Sequence, residues 1–338
     1  KETIYDAAKR NGWTTASICW PVTKGAKSID YNIPEFYDQD LFEEYCTPDL
    51  WNELKAAGLP VECYGRWSKE HPLGPLQDWL SAEIAKYLIR HKKPNLLMVH
   101  FLLADSWQHD YGVRSKEVYW SLDYIDGLIG ELLDTLQEEG LMEKTDIFVV
   151  SDHGFTNTNK TFYPNVLFKQ EGWNVSDNPD ECEVIAVSNG GSGYVYILAE
   201  EAGKRERIRK RLRTLLAGTE GVSKVYEPDE FPSLGLPQPG ELDHLAPDFA
   251  FAMELNYFVH FAQNADAVIK TGAKFHGMHG HHPGNEELKA VFVASGRSIR
   301  SGLVIPEIKV VDIAPTMMKL IGEPLADIDG QPLDEIWR

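Results

Sequence analysis

Apolar residues recur along this chain with two alternating periods, which predict helices and strands in turn. Residues Thr3 to Asn11 read as a helix stopped by Gly12, and the β-branched, apolar run Thr14 to Trp20 reads as a strand. Thr47-Pro48-Asp49 places a cap and a first-turn proline at the start of a helix to Ala57. A longer amphipathic helix, Leu76 to His91, runs up to Lys92-Lys93-Pro94, and the buried strand Asn95 to Ala104 follows. From Ser115 to Glu139, Val118, Leu122, Ile125, Ile129, Leu132 and Leu136 fall at helical spacing; Gly140 ends the helix and Thr145 to Val150 forms the next strand. Strand, helix, strand in that order predicts a right-handed parallel crossover. In such sheets functional groups collect beyond the carboxyl ends of the strands, where Asp105 and Asp152 fall.

The texture changes after Phe155. Gly190-Gly191, several prolines and the acidic run Asn178 to Glu183 interrupt the pattern. Within this stretch Gly193 to Leu198 and Val222 to Tyr226 read as strands, and Gly203 to Ala217 as a strongly basic helix whose charges form a solvated face. The core pattern resumes with the strand Ala290 to Ser295 and the helix Ile308 to Ile321, which contains Pro315. The expected organisation is an α/β core of residues 1–155 and 276–338, built around a mostly parallel sheet, with residues 156–275 inserted as a small α+β cap.

Composition narrows the function classes. A chain of 338 residues with 43% hydrophobic content buries a large core. Its net charge of -19 argues against binding a nucleic-acid duplex, which needs clustered Lys and Arg. Small anionic substrates stay compatible with it, because a bound metal ion dominates its local field. Cys19, Cys46, Cys63 and Cys182 show no CxxC pairing, which favours a reducing, cytoplasmic compartment over a disulfide scaffold. No apolar stretch is long enough for a membrane span. The sequence starts at Lys1 rather than Met, so upstream sequence is expected to have been removed, and a signal peptide could have gone with it.

Three features carry chemistry. Ser151-Asp152-His153-Gly154 closes a strand with a carboxylate beside an imidazole; Asp105 and His109 stand four residues apart, on one face of a helical turn; His276 to His282 holds four histidines. A lone Asp-His pair is more often a cap or a local hydrogen bond than a ligand, but three such features at strand ends point to metal. Asp105, His109 and His279 make one complete aspartate-histidine-histidine set for a borderline ion such as zinc. Asp152 and His153 begin a second set that is one ligand short, with Gly154 permitting a sharp turn. Two ions about 4 Å apart form a clamp for phosphoryl transfer. The facial triad of a non-haem iron oxygenase uses similar ligands, yet leaves Asp152 and His153 unexplained.

The order Asp105-x-x-x-His109-x-x-Gly112, then Ser151 to Phe155, then His279-Gly280 followed by Ala290 to Gly296, resembles the type I phosphodiesterase and nucleotide pyrophosphatase branch of the alkaline phosphatase superfamily. The runs Ile4 to Lys9, Cys19 to Val22 and Ile29 to Pro34 are similar to bacterial members. The resemblance implies an alkaline-phosphatase-like three-layer sandwich and two divalent metals, zinc or manganese by their ligands. It also implies hydrolysis of phosphodiester or pyrophosphate bonds in small nucleotide-type phosphate esters. A further Asp ligand and a Thr or Ser nucleophile precede the matching stretch in that family, and Lys1 to Ile33 offers no substitute, so both are expected upstream. An absent first strand would leave a gap or an exposed apolar edge in the sheet. A phosphonate hydrolase or phosphomonoesterase of the same superfamily is the alternative enzyme. A non-catalytic protein holding one metal at Asp105, His109 and His279 is the alternative of another class.

Overall fold

The computed structural model of the chain describes residues 2–239, 246–272, 274–322 and 328–338. Two compact units divide it: one of Lys1–Trp107, Lys116–Asp152 and Val291–Arg338, the other of Gln108–Ser115 and His153–Ala290. The chain passes between them inside the helix Leu103–Tyr111 and again after Asp152.

At the centre of the first unit is a parallel sheet in the order Tyr31–Ile33, Thr15–Ile18, Leu96–Val99. All four residues of Thr15–Ile18 are buried, as a strand covered on both faces requires. The two-residue period of Leu96–Val99 identifies the covers. Leu96 and Met98 pack with Ala7, Ala8, Met318 and Ile321, while Leu97 and Val99 face a cluster that includes Leu50, Leu54, Tyr64, Leu80 and Ile84. Helices therefore flank the sheet on both sides. The helix Ile4–Arg10 opens with a capping box in which Asp6 N–H donates to Thr3 Oγ1 at 3.2 Å and Thr3 N–H to Asp6 Oδ2 at 3.0 Å.

Three sequence expectations change here. The predicted strand Asn95 to Ala104 is a shorter strand, Leu96–Val99, followed by the helix Leu103–Tyr111. The apolar run continues through the turn because Leu103 is buried at the helix start, and an apolar run alone does not separate strand from buried helix. The predicted crossover strands are not hydrogen-bonded neighbours: Asp146–Val150 pairs antiparallel with Phe292–Gly296, Val150 opposite Phe292. Alternation reports which residues face the core but not which strand edges meet. Third, the helix Lys116–Glu138 buries Val118 but leaves Leu122 exposed beside Tyr119 and Trp120. Trp120 is there stacked between Trp107 and Tyr124, with centroids 5.2 and 5.1 Å away.

The second unit contains an antiparallel sheet in the order Val184–Ser188, Ser192–Ile197, Phe249–Met253, Val222–Tyr226. Ile208, Leu212 and Leu216 of the helix Ala202–Ala217 pack into the same core. The basic side of that helix is only partly a solvated face. Arg205 and Arg209 each reach the buried carboxylate of Asp248, at 2.6 and 2.5 Å, and Asp248 also accepts the N–H of Ile197 at 2.7 Å. A second sheet runs Tyr257–Val259, Lys160–Phe162, Ile269–Thr271, and a two-residue ladder joins Thr156–Asn157 to Gly277–Met278. Among the described residues no helix is long and apolar enough to cross a membrane.

Candidate metal centre

In the second unit the short ladder gathers the histidines. Gly277 pairs with Asn157 and Met278 with Thr156, so the residues just before one strand and just after the other come together. The imidazoles of His153 and His279 stack with centroids 3.6 Å apart. His109 enters from the last turn of the helix Leu103–Tyr111, its ring 5.2 Å from that of His279. Its carbonyl accepts the N–H of His276 at 2.8 Å, and its Nδ1 lies 3.0 Å from the carbonyl of Gly277. A carbonyl only accepts, so Nδ1 carries the proton and Nε2 presents the lone pair. His153 repeats the pattern, with Nδ1 3.1 Å from the carbonyl of Gly154. A ring N–H tied to a carbonyl is the usual outer support of a metal-binding histidine.

Phe155 walls this group, its ring 4.9 Å from His109, 5.1 Å from His279 and 5.3 Å from His153. Two glycines permit the close backbone approach. A Cβ on Gly277 would sit 2.3 Å from the carbonyl oxygen of Gln108, and one on Gly154 2.5 Å from that of Glu287. Gly154 is thus needed for that contact; it is not among the glycines with positive φ. Elsewhere in the histidine-rich loop, His281 is buried and donates from Nε2 to the carbonyl of Tyr257 at 2.7 Å, and burial draws its pKa down. His282 stacks on Tyr226 instead.

The first unit gathers carboxylates at strand ends. Asp105 is the third residue of the helix Leu103–Tyr111, one turn before His109, where the helix N-terminus favours negative charge. Asp152 follows the strand Asp146–Val150, and that end is held by Ser151, whose N–H donates to Val291 O at 3.0 Å while its Oγ accepts Val291 N–H at 2.9 Å. Glu35 stands just beyond Tyr31–Ile33. Burial raises the pKa of its carboxyl, His100 opposes that, and the charges of Asp105 and Asp152 add to it. Tyr37 is raised for the same reasons, burial first and then Glu35 and Asp105. His100 Nδ1 is 4.0 Å from Glu35 Oε2 and donates to the carbonyl of Cys19 at 3.1 Å. Cys19 holds a left-handed φ of 53° there, a conformation costly for a residue with a side chain.

Sequence reasoning named Asp105, His109, Asp152, His153 and His279, and missed Glu35 and His100. A signal existed, since each of these polar residues closely follows a parallel strand, but neither sits in a recognisable spacing. Chemically, the clustered imidazole nitrogens of the second unit, with their outer supports, suit a borderline divalent cation, and the mutually repelling carboxylates of the first unit suit a harder one. The residues present fit such an ion.

The sequence model of the type I phosphodiesterase / nucleotide pyrophosphatase family matches residues 1–282. The mouse ectonucleotide pyrophosphatase/phosphodiesterase family member 7 is 24% identical over 238 residues, covering 70% of this chain and 50% of that protein. The human family member 1 is 34% identical over 153 residues, 45% of this chain and 13% of that one. The chain spans about half the length of the first of these curated relatives. Among solved structures, murine ectonucleotide pyrophosphatase/phosphodiesterase 5, in an inactive form with AMP, superposes with a TM-score of 0.66 at 14% identity over 99% of this chain and 74% of that one. The human protein 5 gives 0.65. The fold is therefore the alkaline-phosphatase-like one. The family is metal-dependent. With its model matched over residues 1–282, the chain belongs to the type I phosphodiesterase / nucleotide pyrophosphatase family.

Proposed function

We propose that this chain supplies most of the metal-binding core of a hydrolase that cleaves phosphodiester or pyrophosphate bonds in small nucleotide-type substrates. The convergence of His109, His153 and His279, with two of the three rings oriented through Nδ1, carries the reading. Asp105, His109 and His279 are assigned to one zinc ion: Asp105 lies a helical turn from His109, and His109 lies beside His279. Asp152 and His153, consecutive in the chain, are assigned to a second. Bound ions of this kind stabilise charge on phosphoryl oxygens and activate a hydroxyl nucleophile.

The chain's own residues orient and enclose. Gly277 and Gly154 carbonyls fix the rings, Phe155 walls one side, and Glu35 with His100 stands near the Asp105 end. A further Asp ligand and a Thr or Ser nucleophile would complete this machinery. Residues 156–275 are assigned to substrate selection. A panel of chromogenic esters, applied to full-length protein with zinc, tests the proposal. Turnover of the diester in preference to the monoester is expected; rapid monoester or phosphonate hydrolysis with no diester turnover would refute it.

A further inference from the structure

The carboxylate of Asp78 lies wholly inside the first unit, at 0% exposure. It belongs to the helix Gly74–His91, yet its oxygens serve another helix: Oδ1 accepts the N–H of Leu102 at 2.9 Å and Oδ2 the N–H of Leu103 at 3.1 Å. Those amides open the helix Leu103–Tyr111, which carries Asp105 in its first turn and His109 in its last. The first amides of any helix lack partners within it, and local side chains usually supply them. Here the cap comes from a distant segment. Two further contacts hold the same helix: Trp107 Nε1, at its middle, donates to the carbonyl of His71 at 3.1 Å, and Leu103, at its start, packs so closely on Gly74 that a Cβ there would lie 2.9 Å from its Cδ1.

We propose that Asp78 is a positioning residue for the metal centre, whose two acceptor oxygens fix the start of the helix and so the place of Asp105. The inference rests on the assignment of Asp105 as a metal ligand. Two acceptor atoms are what the geometry demands, because an amide side chain would set an NH2 donor against one of the two N–H groups and an apolar one would leave both unmet. A buried amide left unpaired is costly, and the helix would relieve that cost by shifting. Burial also pushes the Asp78 carboxyl up to about 7, so the cap occupies a place where an acid is costly to keep. A costly group with one evident geometric task is best explained by that task.

The test compares the wild-type chain with Asp78→Asn, Asp78→Ala and Asp105→Asn, by zinc titration against a chromogenic chelator and by the visible spectrum of bound cobalt. Asp78→Asn should fold and bind zinc about 10- to 100-fold more weakly, as loss of an outer support does, with altered cobalt bands; Asp78→Ala should be weaker still. Should Asp78→Ala fail to fold, Asp78→Asn decides alone. Wild-type affinity and an unchanged cobalt spectrum in folded Asp78→Asn would overturn the positioning role. Wild-type affinity in Asp105→Asn would instead refute the ligand assignment beneath it.

Discussion

The imidazoles of His153 and His279 lie face to face, their centroids 3.6 Å apart and their planes 12° from parallel. The pairing of Thr156–Asn157 with Gly277–Met278 enforces this contact, and neither ring belongs to the hydrophobic core. Replacing His279 by Ala should therefore weaken zinc binding by about 100-fold or more while leaving the metal-free melting temperature nearly unchanged. Parallel calorimetric titration and thermal melts check both halves. A large loss of metal-free stability would give the ring a packing role instead.

Gly277 is a tight point of the histidine cluster. A methyl group there would press on the carbonyl of Gln108, with no flexible side chain to yield. Gly277→Ala should cost about 1–3 kcal/mol in a urea melt and weaken zinc binding as well, because the Gly277 carbonyl holds His109. An unchanged midpoint would mean the loop relaxes freely.

Asp78 makes a pH signature. Its carboxyl is raised to about 7 by burial, against roughly 3.9 in an unfolded chain, so folding favours the protonated form. That stabilisation is complete below about pH 4 and is lost as the pH rises through about 7. The stability of the wild type relative to Asp78→Asn should fall across this window and level off above it. Denaturant melts at several pH values measure the difference, and a flat difference would contradict the buried acid.

The basic helix offers a contrast between paired and solvated charge. Asp248 is buried and bonded to Arg205, Arg209 and the amide of Ile197, whereas Arg207 is largely exposed. Asp248→Ala should cost about 2 kcal/mol, and Arg207→Ala within about 0.5 kcal/mol of nothing. Equal effects in urea melts would show that the helix is held by its apolar face alone.

Legibility in the sequence followed the range of the forces involved. The helix Ile4–Arg10, the strand Val222–Tyr226 and the helix Lys116–Glu138 were readable because local periodicity and stop signals define them. The end of the strand Leu96–Val99 was not, since the buried Leu103 extends the apolar run into the next helix. Nor was the antiparallel partner of Asp146–Val150, which only distant chain supplies. At the site, Asp and His residues in recognisable spacings were legible. Glu35 and His100 carried only the weak signal of following a strand, and the cap from Asp78 carried none, because each acts through space on a residue far along the chain.

The number of zinc ions retained per chain after loading and gel filtration, by elemental analysis, tests the central claim most directly. The account predicts one tightly held zinc on these 338 residues, lost in His279→Ala, and two on a longer protein in which a further Asp joins Asp152 and His153. No zinc retained by either wild-type protein would mean that the clustered histidines and carboxylates serve the fold alone, and the phosphodiesterase reading of the site would fall with them.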